Sequence, residues 1–177
     1  MINLSCRFNG KDVAEYNKAI AGFITAMSDF TPLWQSLQPM VAGAILENFK
    51  NQRNYYEKWT SYKRGKGGTS KYGQWKINHG KSPYLLQYSG ALLQSATRKG
   101  AADNICYMDN LKFVWGTALP YGYYHDSDAP RNKIPRREFM VLNPKTVRSF
   151  ILRAIGDHVR ESGLPTGVLK KNYFDKG

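Results

Sequence analysis

At 177 residues with 42% hydrophobic side chains, the chain can build one domain with a sizeable core, with or without arms. Charged residues make up 22%, which argues against wholesale disorder, and no run of about 18 apolar residues predicts a membrane span. The formal net charge of +13 favours acidic or polyanionic partners and says nothing about fold.

The first residues, MINLSCRFNGKD, lack a basic region followed by a long apolar run, so no secretory leader is expected and the product should stay in the cytoplasm where it is made. Residues 2–8 alternate, with Ile2, Leu4, Cys6 and Phe8 on one face, and predict a short strand. Asn9-Gly10 predicts a turn. Val13, Tyr16, Ile20, Phe23, Ile24 and Met27 form the apolar stripe of an amphipathic helix over 11–28. Thr31-Pro32 supplies an N-cap and a first helical residue. Leu33, Leu37, Met40, Val41, Ala44, Ile45 and Phe49 carry that second helix to about residue 50. Pro39 inside it predicts a kink or a division in two.

Residues 51–82 are basic, aromatic and glycine-bearing, with no clear period. They predict a long loop or arm, partly ordered at best without a partner. Residues 84–88 are apolar and fit helix or strand equally. Residues 92–98, 104–108 and 111–117 read as three successive strands, the last two joined by a two-residue turn at Asp109-Asn110. Leu111, Phe113 and Trp115 share one face, opposite Lys112 and Val114. Pro120, Gly122, Pro130 and Pro135 make 118–137 a loop, after which 139–142 returns as a short strand. Asn143-Pro144 starts a final helix with the stripe Val147, Phe150, Ile151, Ala154, Ile155 and Val159, which Gly163 and Pro165 end. Residues 164–177 form a C-terminal tail. The order gives a single α+β domain over 1–163: an antiparallel sheet packed by two N-terminal helices and one C-terminal helix, with the arm 51–82 inserted.

Only Cys6 and Cys106 are present, with no C-x-x-C or Cys/His cluster, so no zinc site is expected. Reduced thiols are the default reading, and a single disulfide stays open.

Between Lys50 and Lys81 nine Lys or Arg stand against Glu57 alone. Lys58, Lys63, Arg64, Lys66, Lys71, Lys76 and Lys81 alternate with Trp59 and other aromatics. Cations neutralise phosphates, and rings stack on unpaired bases. Three readings stand side by side: a strap that docks a neighbouring subunit, a DNA contact, and a solvated loop. GKGGTSKYG has the glycines of a phosphate loop without the G-x-x-x-x-G-K-[ST] spacing or its strand–helix setting, so no nucleotide site is expected.

His125 beside Asp126 and Asp128 could suggest acid–base work or a metal. No nucleophile pairs with it, and His79 and His158 stand in unrelated contexts; a shaped loop bonded to backbone is the plainer reading. No catalytic residue, cofactor or metal is therefore expected. In IPRREFMVL, Phe139 packs a strand, while Arg136 and Arg137 can each bond a carboxylate. They are either ordinary surface arginines or ring contacts that meet an acid of the next subunit.

The order of these pieces carries a resemblance. LLQYSGALLQSA presents Ser89, Gly90, Leu92 and Ser95 in an S/T-G-x-L-x-x-S element. VWGTALPYGYYH presents Gly116, Thr117, Tyr121 and His125 in a G-T-x-x-x-Y element ending in Y-x-x-H, with Gly122 where alanine is usual. IPRREF supplies Ile134, Pro135, Arg137 and Phe139, and Lys58-Trp59-Thr60 fits a tryptophan element upstream. Over roughly residues 28–161 the chain resembles the tail-completion (virion morphogenesis) family of tailed bacteriophages.

The resemblance implies a structural protein that catalyses nothing. Subunits would form a homo-oligomeric ring of six or twelve copies in the neck or at the head-proximal end of the tail. That ring would complete the tail and join it to the head. Its partners would be other neck, tail-tube or connector proteins, with sequence-independent contact to packaged DNA and no membrane. It would sit in the virion, and in the host cytoplasm during assembly. On this reading Tyr121, His125, Arg136, Arg137 and Phe139 are candidate subunit-interface residues, and the arm contacts a partner or DNA. The runner-up is a cytoplasmic nucleic-acid-binding module that uses residues 53–81.

Overall fold

The computed structural model describes residues 7–8, 11–61, 70–127 and 135–161. The elements in order are β1 (Arg7–Phe8), β2 (Lys11–Asp12), α1 (Val13–Ser28), α2 (Thr31–Asn51), α3 (Lys71–Asn78), α4 (Ala91–Thr97), β3 (Asn104–Met108), β4 (Phe113–Thr117), α5 (Pro120–Asp126) and α6 (Pro144–Glu161). The class is α+β, with two separate antiparallel strand pairs, β1–β2 and β3–β4. The chain divides into two compact units. One holds Met1–Leu37, Met108–Lys112 and Lys145–Gly177; the other holds Gln38–Tyr107 and Phe113–Pro144.

In the first unit, β1 and β2 pair with Arg7 opposite Asp12 and Phe8 opposite Lys11. Residues 1–6 and the expected turn at 9–10 lie outside the described residues, as do Gly163, Pro165 and the tail 164–177. α1 forms where its stripe predicts, although Ile20, Ile24 and Met27 stay exposed. Asp29 Oδ1 accepts the Thr31 N–H at 2.8 Å, so Asp29 rather than Thr31 supplies the side-chain cap of α2. Hydrogen bonding from Thr31, its side-chain hydroxyl first and this N–H second, holds the Asp29 carboxyl below the usual carboxylate range. α6 starts at Pro144 as expected. His158 near its end donates from Nε2 to the Ala26 carbonyl at 2.7 Å, and its ring lies 5.9 Å from that of Phe30.

α2 buries Leu33, Leu37, Val41, Ile45 and Phe49, one residue in four. Pro39 does not divide it. The proline lies on the exposed side of the helix, away from that stripe.

The second unit overturns several expectations. Residues 92–97 are not a strand but lie in α4, which buries Leu92, Ser95 and Ala96 and is followed by Arg98 at its C-cap. Positions 92, 94 and 96 fit a strand period and 92, 95 and 96 a helical one. Ala, Leu and Gln favour the helix. β3 and β4 remain as a hairpin, so two strands stand where three were expected. Asp109 N–H donates to the Lys112 carbonyl at 2.9 Å, and Asp109 Oδ1 accepts the Leu111 N–H. The turn is therefore centred on Asn110-Leu111, one residue later than expected, and β4 begins only at Phe113. Residues 118–137 are not all loop: Pro120 occupies the first turn of α5, where its missing N–H is harmless. Residues 84–88 are neither helix nor strand but a turn, with Leu86 at φ 58°.

Residues 139–142 form no strand. Side chains take the place of sheet neighbours there. Asn48 Nδ2 donates to the carbonyls of Phe139 (3.1 Å) and Val141 (2.8 Å). Asp126 Oδ1 accepts the N–H groups of Phe139 (3.1 Å) and Met140 (3.2 Å). The backbone is satisfied without a ladder.

Within the basic stretch, the described residues include local structure. Arg53 and Lys58 form an isolated antiparallel bridge after α2, and α3 follows at Lys71. Residues 62–69, including Lys63, Arg64 and Lys66, lie outside the described residues.

Candidate functional site

Two clusters in the second unit gather the chemistry-bearing residues. The first is a packed cluster of the motif residues. Gly90 adopts φ 82°, a conformation that side chains disfavour, immediately before α4. Ser95 on α4 meets Thr117 on β4, with 2.7 Å between their hydroxyl oxygens, and Thr117 Oγ1 also accepts the Leu119 N–H at 3.2 Å. Trp115 Nε1 donates to the Ala96 carbonyl at 2.8 Å, which fixes α4 against β4. At Gly122 on α5 an added Cβ would lie 3.0 Å from Thr117 Cγ2, 3.2 Å from Leu92 Cδ1 and 3.6 Å from Phe139 Cζ. Three motif segments thus close on one glycine, and an alanine there would have to push a neighbour aside by a few tenths of an ångström.

The same cluster holds three residues expected at an interface or on the arm. Phe139 is 1% exposed and packs on Phe49, with ring centroids 5.5 Å apart. Trp59 is 5% exposed, meets Phe49 edge-on at 5.6 Å and donates from Nε1 to the Glu138 carbonyl at 3.0 Å. Arg137 is buried and donates from Nε to the Thr60 carbonyl at 2.9 Å, while its N–H bonds the His125 carbonyl. Lys76, also buried, belongs to the second cluster. None of the four lies at the surface, so they hold the fold rather than offer contacts. Burial satisfied by hydrogen bonds is how polar side chains enter a core.

Arg136 pairs with Glu138 of its own chain and donates to the Asp126 carbonyl at 3.3 Å, so an acid of the same chain meets it, where one of the two readings had a neighbour's. His125 is half-buried at the end of α5 rather than in a loop. Tyr121 is exposed, and partial burial, with the Asp103 charge second, raises its hydroxyl above the usual tyrosine value.

The second cluster is built on α3. Ser70 caps the helix by accepting the Gly73 N–H at 2.8 Å. Gly73 and Lys76 face inward, three residues apart. Lys76 Nζ donates to the Tyr84 carbonyl at 2.8 Å, and burial pushes its ammonium below the usual lysine range. Gln52 Oε1 accepts the Leu85 N–H at 2.6 Å, which ties the following turn to the end of α2.

The outward side of α3 is aromatic. Tyr72 and Trp75 stack with an interplanar angle of 13° and centroids 5.8 Å apart. Trp75 and Tyr88 are parallel within 4° at 6.2 Å. His79 lies 4.4 Å from Trp75, and Lys81 Nζ sits 5.3 Å from the Tyr88 ring centre. Lys58, Lys71 and Lys81 of the expected arm are exposed. The sequence names Tyr72 and Trp75 as part of the arm; Tyr88 joins them only through the fold.

Among the described residues, no group of three His, Cys, Asp or Glu is placed to hold a metal, and no helix is long and apolar enough to cross a membrane. Cys106 carries a free, half-buried thiol. No family model matches the chain, and neither the curated proteins nor the solved structures yield a match.

Proposed function

We propose that this protein is a structural subunit of a tailed-phage virion, forming a ring in the neck or at the head-proximal end of the tail. It acts by assembly, joining tail to head, and turns over no substrate. One observation carries this reading: residues from the separated motifs pack into one cluster, with Leu92, Thr117 and Phe139 closing on Gly122. An ordered motif set that converges on a single core describes a folded unit rather than a chance run of letters. The resemblance to tail-completion proteins then bears on the unit as a whole.

Surface composition supports assembly too. Tyr107, Tyr123 and Tyr124 are each more than half exposed, and Leu111 is 69% exposed. Large apolar and tyrosine side chains left in solvent suit a subunit that covers them with copies or neighbours. A ring results when head-to-tail contacts close by rotation.

Native mass spectrometry of the purified protein at high salt, alone and mixed with tail-tube subunits, tests the reading. The expected result is a closed species of six or twelve copies. A strict monomer under both conditions, or a mature particle without this polypeptide, overturns it.

A further inference from the structure

We propose that the outward side of α3, together with Tyr88, is a binding platform for single-stranded nucleic acid. Tyr72, Trp75 and Tyr88 present near-parallel rings, 49%, 41% and 47% exposed. Parallel, solvent-facing rings are what successive unpaired bases stack on, whatever their sequence. A duplex keeps its base faces covered by their neighbours, so the platform favours unpaired strands.

Charge selects the partner. From residue 58 to residue 102 the chain contains no Asp or Glu, while Lys58, Lys71 and Lys81 stand exposed. Lys81 lies over the Tyr88 ring, where its ammonium can meet a phosphate beside a stacked base. The platform is held from behind. The Ser70 cap, the buried Gly73 and Lys76, and the Lys76 bond to the Tyr84 carbonyl fix α3 before any ligand arrives. Such preorganisation lowers the entropy cost of binding. An acidic protein segment would satisfy the lysines but brings no succession of flat faces to match three parallel rings.

This inference goes beyond ring assembly and stands or falls separately from it. The test is a fluorescence-anisotropy titration of the full chain with labelled oligothymidylate, a blunt duplex of equal length, and polyglutamate. Oligothymidylate should bind most tightly and quench tryptophan emission. Trp75→Ala should weaken it about tenfold or more, and Trp75→Phe should retain most of the affinity. Tyr88→Ala, on a different segment, should weaken it in the same direction. Lys81→Gln should lower the slope of log affinity against log salt by about 0.7. Equal or tighter binding of duplex or polyglutamate overturns the proposal. Unchanged affinity in both Trp75→Ala and Tyr88→Ala, with circular dichroism preserved, overturns it as well.

Discussion

Trp59 and Trp75 belong to the same basic, aromatic stretch of sequence, and the fold uses them in opposite ways. Trp59 is sealed against Phe49, with its indole N–H on the Glu138 carbonyl. Trp75 faces solvent between two tyrosines. Lysines divide likewise: Lys76 is buried under a carbonyl, and Lys81 lies exposed over a ring. The difference teaches that one stretch serves both as core and as surface. Composition alone cannot separate the two roles.

The contrast can be broken by substitution. The largest effect is expected at the sealed tryptophan: Trp59→Ala should destabilise by about 3–5 kcal/mol, read as a lowered urea midpoint, because a buried aromatic leaves a cavity. A loss below 1 kcal/mol would mean that the Phe49 cluster does not hold the unit. Next comes Asn48→Ala, which strips the Phe139 and Val141 carbonyls of their shared donor and should cost about 1–3 kcal/mol.

Gly122→Ala sets two effects against each other. Alanine in a helix gains up to about 1 kcal/mol over glycine, whereas overpacking costs about 1–3 kcal/mol. Thr117 is tied by two hydrogen bonds and cannot easily withdraw its methyl, so crowding should win by about 1 kcal/mol. Thermal denaturation that shows stabilisation would mean that β4 yields.

Lys76 gives a pH signature. Its folded ammonium titrates below the ordinary lysine value because of burial. Between the folded and unfolded values the unfolded chain binds more protons, so this group makes stability rise with pH across that window. Tyr121, raised in the folded state, acts in the opposite sense. The difference between wild type and Lys76→Met isolates the lysine: the variant should lose the rising contribution in alkaline urea titrations. The smallest effect belongs to the open tryptophan. Trp75→Ala should cost less than about 1 kcal/mol of stability, whatever it does to binding.

How far the sequence could be read follows from period and length. α1, α2 and α6 repeat their apolar residues over more than three turns, and each forms where its stripe lies. The short elements were not legible. LLQSA satisfies strand and helix periods together; its residue types favour helix, and bonds to Thr117 and Trp115 hold that helix in place. Pro120 and Gly122 look like breakers, yet one occupies a first helical turn and the other fills a place where a Cβ would be crowded. For the platform, Tyr72, Trp75 and His79 lie on one helical side once α3 is recognised. Tyr88 carries no local signal, because its place depends on the Leu85 N–H bonded to Gln52 and on the turn at Leu86.

The stretch from Arg137 to Val141 has a consequence for misassembly. Its N–H groups at Arg137, Phe139 and Met140 and its carbonyls at Phe139 and Val141 are all occupied by His125, Asp126 and Asn48. An incoming copy cannot zip onto this stretch without first evicting those groups, so fibre growth finds no template here. Copies that met at this stretch would have only its side-chain surfaces to pack against.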